Sequence, residues 1–315
     1  MKIKKETNFN KIEQFLQENY SAPTHWPDWN IVVSNHFNTN FYYFAAYKKN
    51  DLIGICPVHE TQNGRLKKLY SGQFHYIPNG GWIFSEKASI NKQKFPLTWN
   101  ESLTYFSLPE ISEFKVNYKN ANNIKKTLVL DLTKDLDTIW KEEIHSKRRN
   151  MIRKAEKNEV KIKELDLKKD IDNFFEVYQI ACYKNNLTVL PRQFFLDLSK
   201  SAININFSIL AAYKENNQLS NVIIAYDKNY SFYWLGNNNN NIPNLGQNEL
   251  LQWEAIKKMK TAGCPYYDLC FIEKERLPHI YKFKKGFTKN EVSIPLIIVN
   301  PLLYKIVNKL NKLIN

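Results

Sequence analysis

The chain is poor in the residues that most often announce a chemistry. It has four cysteines in 315 residues, Cys56, Cys182, Cys264 and Cys270. None forms a CxxC pair or meets a histidine at zinc spacing, which excludes a disulfide framework and a zinc module. Cys264 and Cys270 flank an expected strand and read as small buried hydrophobes, in keeping with a reducing cytoplasm. Glycine (9) and proline (12) are sparse, which excludes collagen-like and low-complexity chains. No apolar run reaches the length of a membrane span. Residues 1–20 are polar and charged, without the apolar core of a signal peptide, so a cytoplasmic location is expected. No metal-ligand cluster and no Ser-His-Asp or Cys-His set presents itself, so neither a metal nor a covalent enzyme intermediate is expected.

What is present is apolar and basic. The chain is 43% hydrophobic and 14% aromatic, enough for a substantial core. Its length fits two domains of ordinary size. A net charge of +14 points to anionic partners: nucleic acid, phosphorylated metabolites or an acidic membrane face. The asparagine run from Asn237 to Asn241 reads as a loop tip.

An internal repeat organises the chain. Ala45-Ala46-Tyr47-Lys48-Lys49-Asn50 recurs as Ala211-Ala212-Tyr213-Lys214-Glu215-Asn216. Each copy lies between two apolar strand-like runs and reads as a hairpin. The companions follow in one order. The first half shows a helix at 10–18, the hairpin, a strand at 74–84, a helix near 98–106, and strands at 113–118 and 126–132. The second shows a helix at 171–185, the hairpin, a strand at 231–236, a helix at 248–262, and strands at 266–269 and 292–299. The expected fold class is α+β (mixed α/β), as two units spanning 1–145 and 146–315.

Four segments carry candidate chemistry. The first is a charged helix over 134–158, where the two repeats meet. Trp140, Ile144, Met151, Ile152 and Ala155 share its packing arc. Lys147, Arg148, Arg149, Arg153 and Lys154 form a basic cluster, either a phosphate grip or a solvated face. Arg148 falls inside the apolar arc, so it must snorkel, pair with an acid or meet an anion. The second is Phe283-Lys284-Lys285-Gly286-Phe287, read as a loop. It is either a site with cations beside flat aromatic faces or a turn with both phenylalanines in the core. The third is Tyr266-Tyr267-Asp268, where a strand-end acid faces a cleft or caps a turn. The fourth is an amphipathic basic helix at 301–315, which lies on an anionic membrane or packs back on the first unit.

Helix, hairpin, strand, helix, strand, strand is the order of a GNAT acyltransferase unit, here in tandem. The chain resembles the FemABX family of peptidoglycan-bridge aminoacyltransferases and their relatives from polysaccharide loci. The resemblance spans most of the sequence. It rests on Trp29 after Pro27, Thr127-Leu128-Val129-Leu130-Asp131-Leu132, and Ser146-Lys147-Arg148-Arg149-Asn150-Met151-Ile152-Arg153-Lys154-Ala155. It rests further on Leu190-Pro191 with Phe194-Phe195, Glu249-Leu250-Leu251-Gln252-Trp253-Glu254, Tyr267-Asp268-Leu269 and Tyr281-Lys282-Phe283-Lys284-Lys285-Gly286-Phe287. It departs where the family often has glycine: here stand Cys270, Phe271 and Thr288.

The resemblance implies transfer of an aminoacyl group from charged tRNA to an amine of a phosphorylated or lipid-linked cell-envelope precursor. No cofactor is needed, and peripheral contact with the inner membrane face is expected. Phe283 and Lys284 then meet the charged tRNA end. Arg149, with Lys147 and Arg153, grips the precursor's phosphates. Asp268 orients the acceptor amine or takes its proton, and Tyr267 and Trp29 line the substrate. CoA-dependent GNAT enzymes usually carry a glycine-rich turn that holds the CoA pyrophosphate at a helix N-terminus. Here that place reads Asn244-Leu245-Gly246-Gln247-Asn248-Glu249, with one glycine and an acid, which argues against CoA in that mode. Two alternatives stand: an acyl-CoA-dependent N-acyltransferase acting on an amino sugar, and a non-catalytic RNA- or membrane-binding module.

Overall fold

A computed structural model describes the chain except residues 73–76, 87, 89–94, 112–120, 240–242, 271–273, 302–303, 307–308 and 310–315. The chain forms two compact units, Met1–Lys126 with Val292–Asn315, and Thr127–Glu291. The division thus falls at 126/127 rather than at 145/146. The segment that begins at Val292 goes with the first unit.

In the first unit, β1 (Lys2–Glu6), α1 (Phe9–Glu18) and α2 (Pro27–Phe37) precede β2 (Asn40–Lys48), β3 (Asp51–Asn63) and β4 (Leu66–Ser71). Short β5 (Ile83–Phe84) pairs with β3, and β6 (Glu101–Phe106) runs parallel to β4. α1 starts at Asn8, whose side chain accepts from the Lys11 N–H, and it buries Ile12, Phe15 and Leu16 at helical spacing. α2 begins with Pro27 at its first position and ends at Asn38 in the left-handed conformation, φ 50°. The core gathers Phe44, Cys56, Val58, Leu69, Leu103 and Tyr105. The helix expected near 98–106 is instead strand β6. Thr104, Tyr105 and Phe106 are strand formers, and pairing with β4 outweighs any helical pattern. Of the strand expected at 74–84, only Ile83–Phe84 is extended, and 73–76 lie outside the described residues. The strand expected at 113–118 also lies outside them.

In the second unit, β7 (Asn123–Asp131), which begins before the division, leads into α3 (Leu136–Thr138), a π-helical turn (Ile139–Glu143) and α4 (Ser146–Lys157). Next come β8 (Lys161–Glu164), α5 (Leu167–Lys184), α6 (Arg192–Ser201), β9 (Asn206–Lys214), β10 (Asn217–Tyr226), β11 (Ser231–Asn238) and α7 (Gln247–Thr261). The unit closes with β12 (Tyr266–Asp268) and α8 (Pro278–Lys284). Its core gathers Leu128, Leu130, Ile152, Leu210, Ile224, Leu251, Tyr267 and Phe287.

The repeat is real in three dimensions. Ala45 pairs with Ile55 across the first hairpin, and Ala211 with Asn221 across the second. Both turns carry a non-glycine residue of positive φ at the same place, Lys49 and Glu215, each at 55°. Each unit also has one parallel pair, β4 with β6 and β11 with β12. The last strands, however, are exchanged. β13 (Glu291–Val299) completes the first unit by pairing with β6, and β7 completes the second by pairing with β12. This exchange moves the division away from the middle of the sequence. Tyr304, beyond β13, is buried, while most of the expected C-terminal helix lies outside the described residues. No helix among the described residues is long and apolar enough to cross a membrane.

Candidate functional site

The second unit gathers Asp268, Tyr267, Lys284 and Phe283. β12 lies between β7 and β11, with Tyr267 opposite Leu130 and Asp268 beside Phe232. Asp268 is 1% exposed, and of its two readings it follows the turn cap. Its Oδ1 accepts from Thr127 Oγ1 at 2.5 Å and from the Cys270 N–H at 2.8 Å, and its Oδ2 from Tyr230 OH at 2.9 Å. Burial pushes the carboxyl up, against these three donors and the Lys284 charge. Its oxygens fix the end of β12 and the charge beside Lys284, which leaves little capacity to orient a substrate amine.

Lys284 ends α8, a helix where a loop was expected. It is 7% exposed. An ammonium has three N–H groups. Among the described residues Nζ makes one long hydrogen bond, to the Cys270 carbonyl at 3.5 Å, and lies 5.0 Å from the Tyr233 ring centroid. Burial pulls its pKa down, against the Asp268 charge. A buried cation with donors to spare is unfavourable unless something completes it. Cys270 itself sits at φ 62°, the left-handed region that glycine adopts without penalty. The backbone geometry of a glycine is thus kept where the glycine is not. Tyr233 packs its phenol over Gly236, where a Cβ would fall 1.6 Å from the hydroxyl.

Tyr267 is fully buried and donates to Gln252 Oε1 at 3.0 Å. It packs inside the unit and does not line an open surface. Gln252 Nε2 is buried without a hydrogen-bond partner among the described residues. Tyr233 and Gln252 were not singled out as site residues from the sequence, because nothing in their local pattern separates them from core residues.

Arg148 took the second of its three open options. Its Nη1 meets Glu249 Oε1 at 2.7 Å, with the two side chains 14% and 5% exposed. Its Nη2 donates to the Lys282 carbonyl at 3.1 Å, and the guanidinium lies 4.9 Å from the Phe283 ring centroid. Gly286 makes room for it, since a Cβ there would fall 2.6 Å from Arg148 Cγ. Phe283 is half-buried, edge-on to fully buried Phe287 at 5.3 Å. Lys285 points outward and pairs with Glu291 at 2.7 Å. The five-residue segment therefore combines both readings. Phe287 is core, and Lys284 is a buried charge with one long hydrogen bond among the described residues.

The same ion pair closes the N-terminus of α7. Gly246 there has φ 90°, and a Cβ would fall 2.1 Å from the Met151 carbonyl oxygen, so only glycine lets α4 and α7 meet. The Leu245 N–H donates to Gln247 Oε1 at 2.7 Å and the Gly246 N–H to Asn244 Oδ1 at 2.9 Å. Glu249, in the first turn, is 4% exposed and complements the helix dipole.

The basic cluster of α4 does not act as one. Arg149 Nη1 donates to the carbonyls of Trp140 at 3.1 Å, Lys141 at 3.1 Å and Ile144 at 2.5 Å, capping the π-helical turn. Lys154 Nζ donates to the Asn244 carbonyl at 2.8 Å. Lys147 and Arg153 are exposed. Trp29 belongs to α2 of the first unit and has no exposed surface, which makes it a core residue there.

No protein-family profile and no curated protein matches the sequence. Solved structures do. FemX matches with a TM-score of 0.67 at 11% identity, over 98% of this chain and 100% of that one. The C-terminal domain of a protein assigned as a lysylphosphatidylglycerol synthetase, from Agrobacterium fabrum, matches with a TM-score of 0.56 at 10% identity, over 91% of each chain. A tandem GNAT protein from the clavulanic acid biosynthesis pathway matches with a TM-score of 0.52 at 7% identity, over 95% of this chain and 98% of that one. The chain has the tandem-GNAT fold that these proteins share.

Proposed function

We propose, starting from this FemX-like tandem-GNAT fold, that the protein is an acyltransferase. It moves an aminoacyl group from charged tRNA to an amine of a phosphorylated or lipid-linked cell-envelope precursor, working at the inner membrane face. The observation that carries the choice of donor is the N-terminus of α7. There Glu249, buried in the first turn and paired with Arg148, puts negative charge where the usual GNAT manner brings a CoA pyrophosphate, which favours tRNA over CoA.

An aminoacyl ester is already activated, so the enzyme's work is positioning and charge stabilisation. The acceptor amine attacks the ester carbonyl, and a C–N bond forms. The C–O bond to the ribose breaks, and the proton lost by the amine ends on the ribose hydroxyl. Lys284, buried and with one long hydrogen bond among the described residues, holds the negative charge that grows on the acyl oxygen. Phe283, with Arg148 against it, offers its ring to the terminal base of the tRNA. Asp268 holds the charge balance beside Lys284 and does not touch substrate.

The test offers labelled aminoacyl-tRNA and labelled acyl-CoA side by side, each with peptidoglycan and glycan precursors. Label should reach an amine from tRNA, and Lys284→Met should slow transfer by about 10²–10³. Label arriving from acyl-CoA alone would overturn the reading and favour an N-acyltransferase.

A further inference from the structure

A second feature of this unit lies outside the Lys284 site. Trp140, on the π-helical turn, and Trp253, on α7, lie with ring centroids 4.9 Å apart at 51°. Both are half-buried, with one side packed on the core of the unit. A cation flanks each ring. The Arg153 guanidinium is 5.6 Å from the Trp140 centroid, and Lys257 Nζ, which also pairs with Glu254 at 2.6 Å, is 5.9 Å from that of Trp253. The pair is held firmly, since Arg149 fastens the turn that carries Trp140 through three carbonyls. Beside the rings runs the exposed side of α4, with Lys147, Arg153, Lys154 and Lys157 against the single acid Glu156.

We infer that this surface is a docking platform for RNA, with bases stacking on Trp140 and Trp253 and phosphates meeting Arg153, Lys257 and the α4 lysines. The inference builds on tRNA as the donor and assigns the unpaired nucleotides next to its terminal base a place on the protein. Flat aromatic faces interleaved with cations are the chemistry that holds single-stranded or splayed nucleic acid. The alternative for an aromatic and basic surface is an anionic membrane. Tryptophans that insert into lipid must protrude, whereas these two are set into the protein with only part of each ring open. Arg153 and Lys147, expected to hold a precursor's phosphates, are here assigned to the phosphates of RNA.

The test is fluorescence anisotropy of a labelled, uncharged tRNA acceptor-stem minihelix titrated with the full chain over a salt series. Arg153→Glu and Trp253→Leu should each weaken binding at least tenfold, and Trp253→Phe, which keeps a stacking ring, should bind nearly as wild type. The slope of log K against log salt should fall by about one for each cation removed. Circular dichroism of Arg153→Glu checks that the fold is retained. Equal binding by all variants would overturn the platform, as would binding to phosphatidylglycerol vesicles with none to the minihelix. Because the minihelix carries no acyl group, the two readings fail separately. Loss of binding in the variants without any transfer from tRNA leaves the platform standing and removes the donor. Transfer from tRNA with unchanged KM in Arg153→Glu and Trp253→Leu does the reverse.

Discussion

Replacing Glu249 by leucine should destabilise the second unit far more than replacing Glu249 and Arg148 together. The two charges meet at 2.7 Å with side chains 14% and 5% exposed. At an effective dielectric near 20, their attraction is roughly 6 kcal/mol before desolvation is subtracted. Desolvating each ion costs several kcal/mol, so the intact pair comes out close to neutral. Removing one partner changes that balance. Glu249→Leu leaves a guanidinium with little water, for which breaking a buried pair costs about 3–5 kcal/mol. Arg148 keeps its bond to the Lys282 carbonyl and its contact with Phe283, which places the loss near 3 kcal/mol. Arg148→Met leaves Glu249 buried in the first turn of α7, where the helix dipole returns about 0.3–1 kcal/mol. In Arg148→Met/Glu249→Leu both charges are gone, and stability should return to within about 1 kcal/mol of wild type. Urea unfolding followed by circular dichroism on the four proteins closes the double-mutant cycle. A coupling of at least about 2 kcal/mol is expected. If Glu249→Leu costs under 1 kcal/mol, or the double variant loses the sum of the singles, the ion pair does not seal α7 as argued.

Three further outcomes follow from the same geometry. Lys284→Met should lose transfer while unfolding no earlier than wild type, because it removes a buried ammonium that the fold only partly satisfies; a fall in Tm of several degrees would show that Lys284 holds the unit together. Cys270→Val should be less stable than Cys270→Gly by about 1–2 kcal/mol, since the φ of 62° suits glycine and penalises a β-branched side chain; equal stabilities would refute this. His25, fully buried and held neutral, has its pKa lowered to about 4 by burial, whereas the unfolded chain takes up the proton near 6.5. Between those values the unfolded state binds more protons, so stability falls as pH drops from 6.5 to 4, by about 3 kcal/mol in total. His25→Asn should flatten that part of the pH–stability curve, and an unchanged slope would remove His25 as its source.

Much of the fold could be read from periodicity. The AAYK repeat located both hairpins, and the structure extends the match to the positive φ at Lys49 and Glu215. Helices α1, α5 and α7 lie within a few residues of where their patterns placed them. The misreading at 98–106 has a plain cause: Leu103 and Tyr105 suit either a helix or a strand, and the neighbour β4 decides. The site was legible as a list of residue types but not as an arrangement. Phe283, Lys284 and Asp268 do lie in one unit, with Lys284 and Asp268 buried and Phe283 half-buried.

Composition and spacing alone pointed to a basic chain with two repeated hairpins in a common order of elements and to Glu249 near the start of a helix, while the GNAT reading came from the resemblance. Those properties are local, and each follows from side chains within a few residues of one another. Pairing across long separations is not local. Strands β7 and β13 have the same kind of apolar pattern, so nothing within either one says which unit it completes. Their exchange emerges only when the sheets assemble. The same holds for Arg148, whose three options were all open until Glu249, 101 residues away, supplied the partner. Arg149 was equally undecided until the π-helical turn offered it carbonyls in place of phosphates.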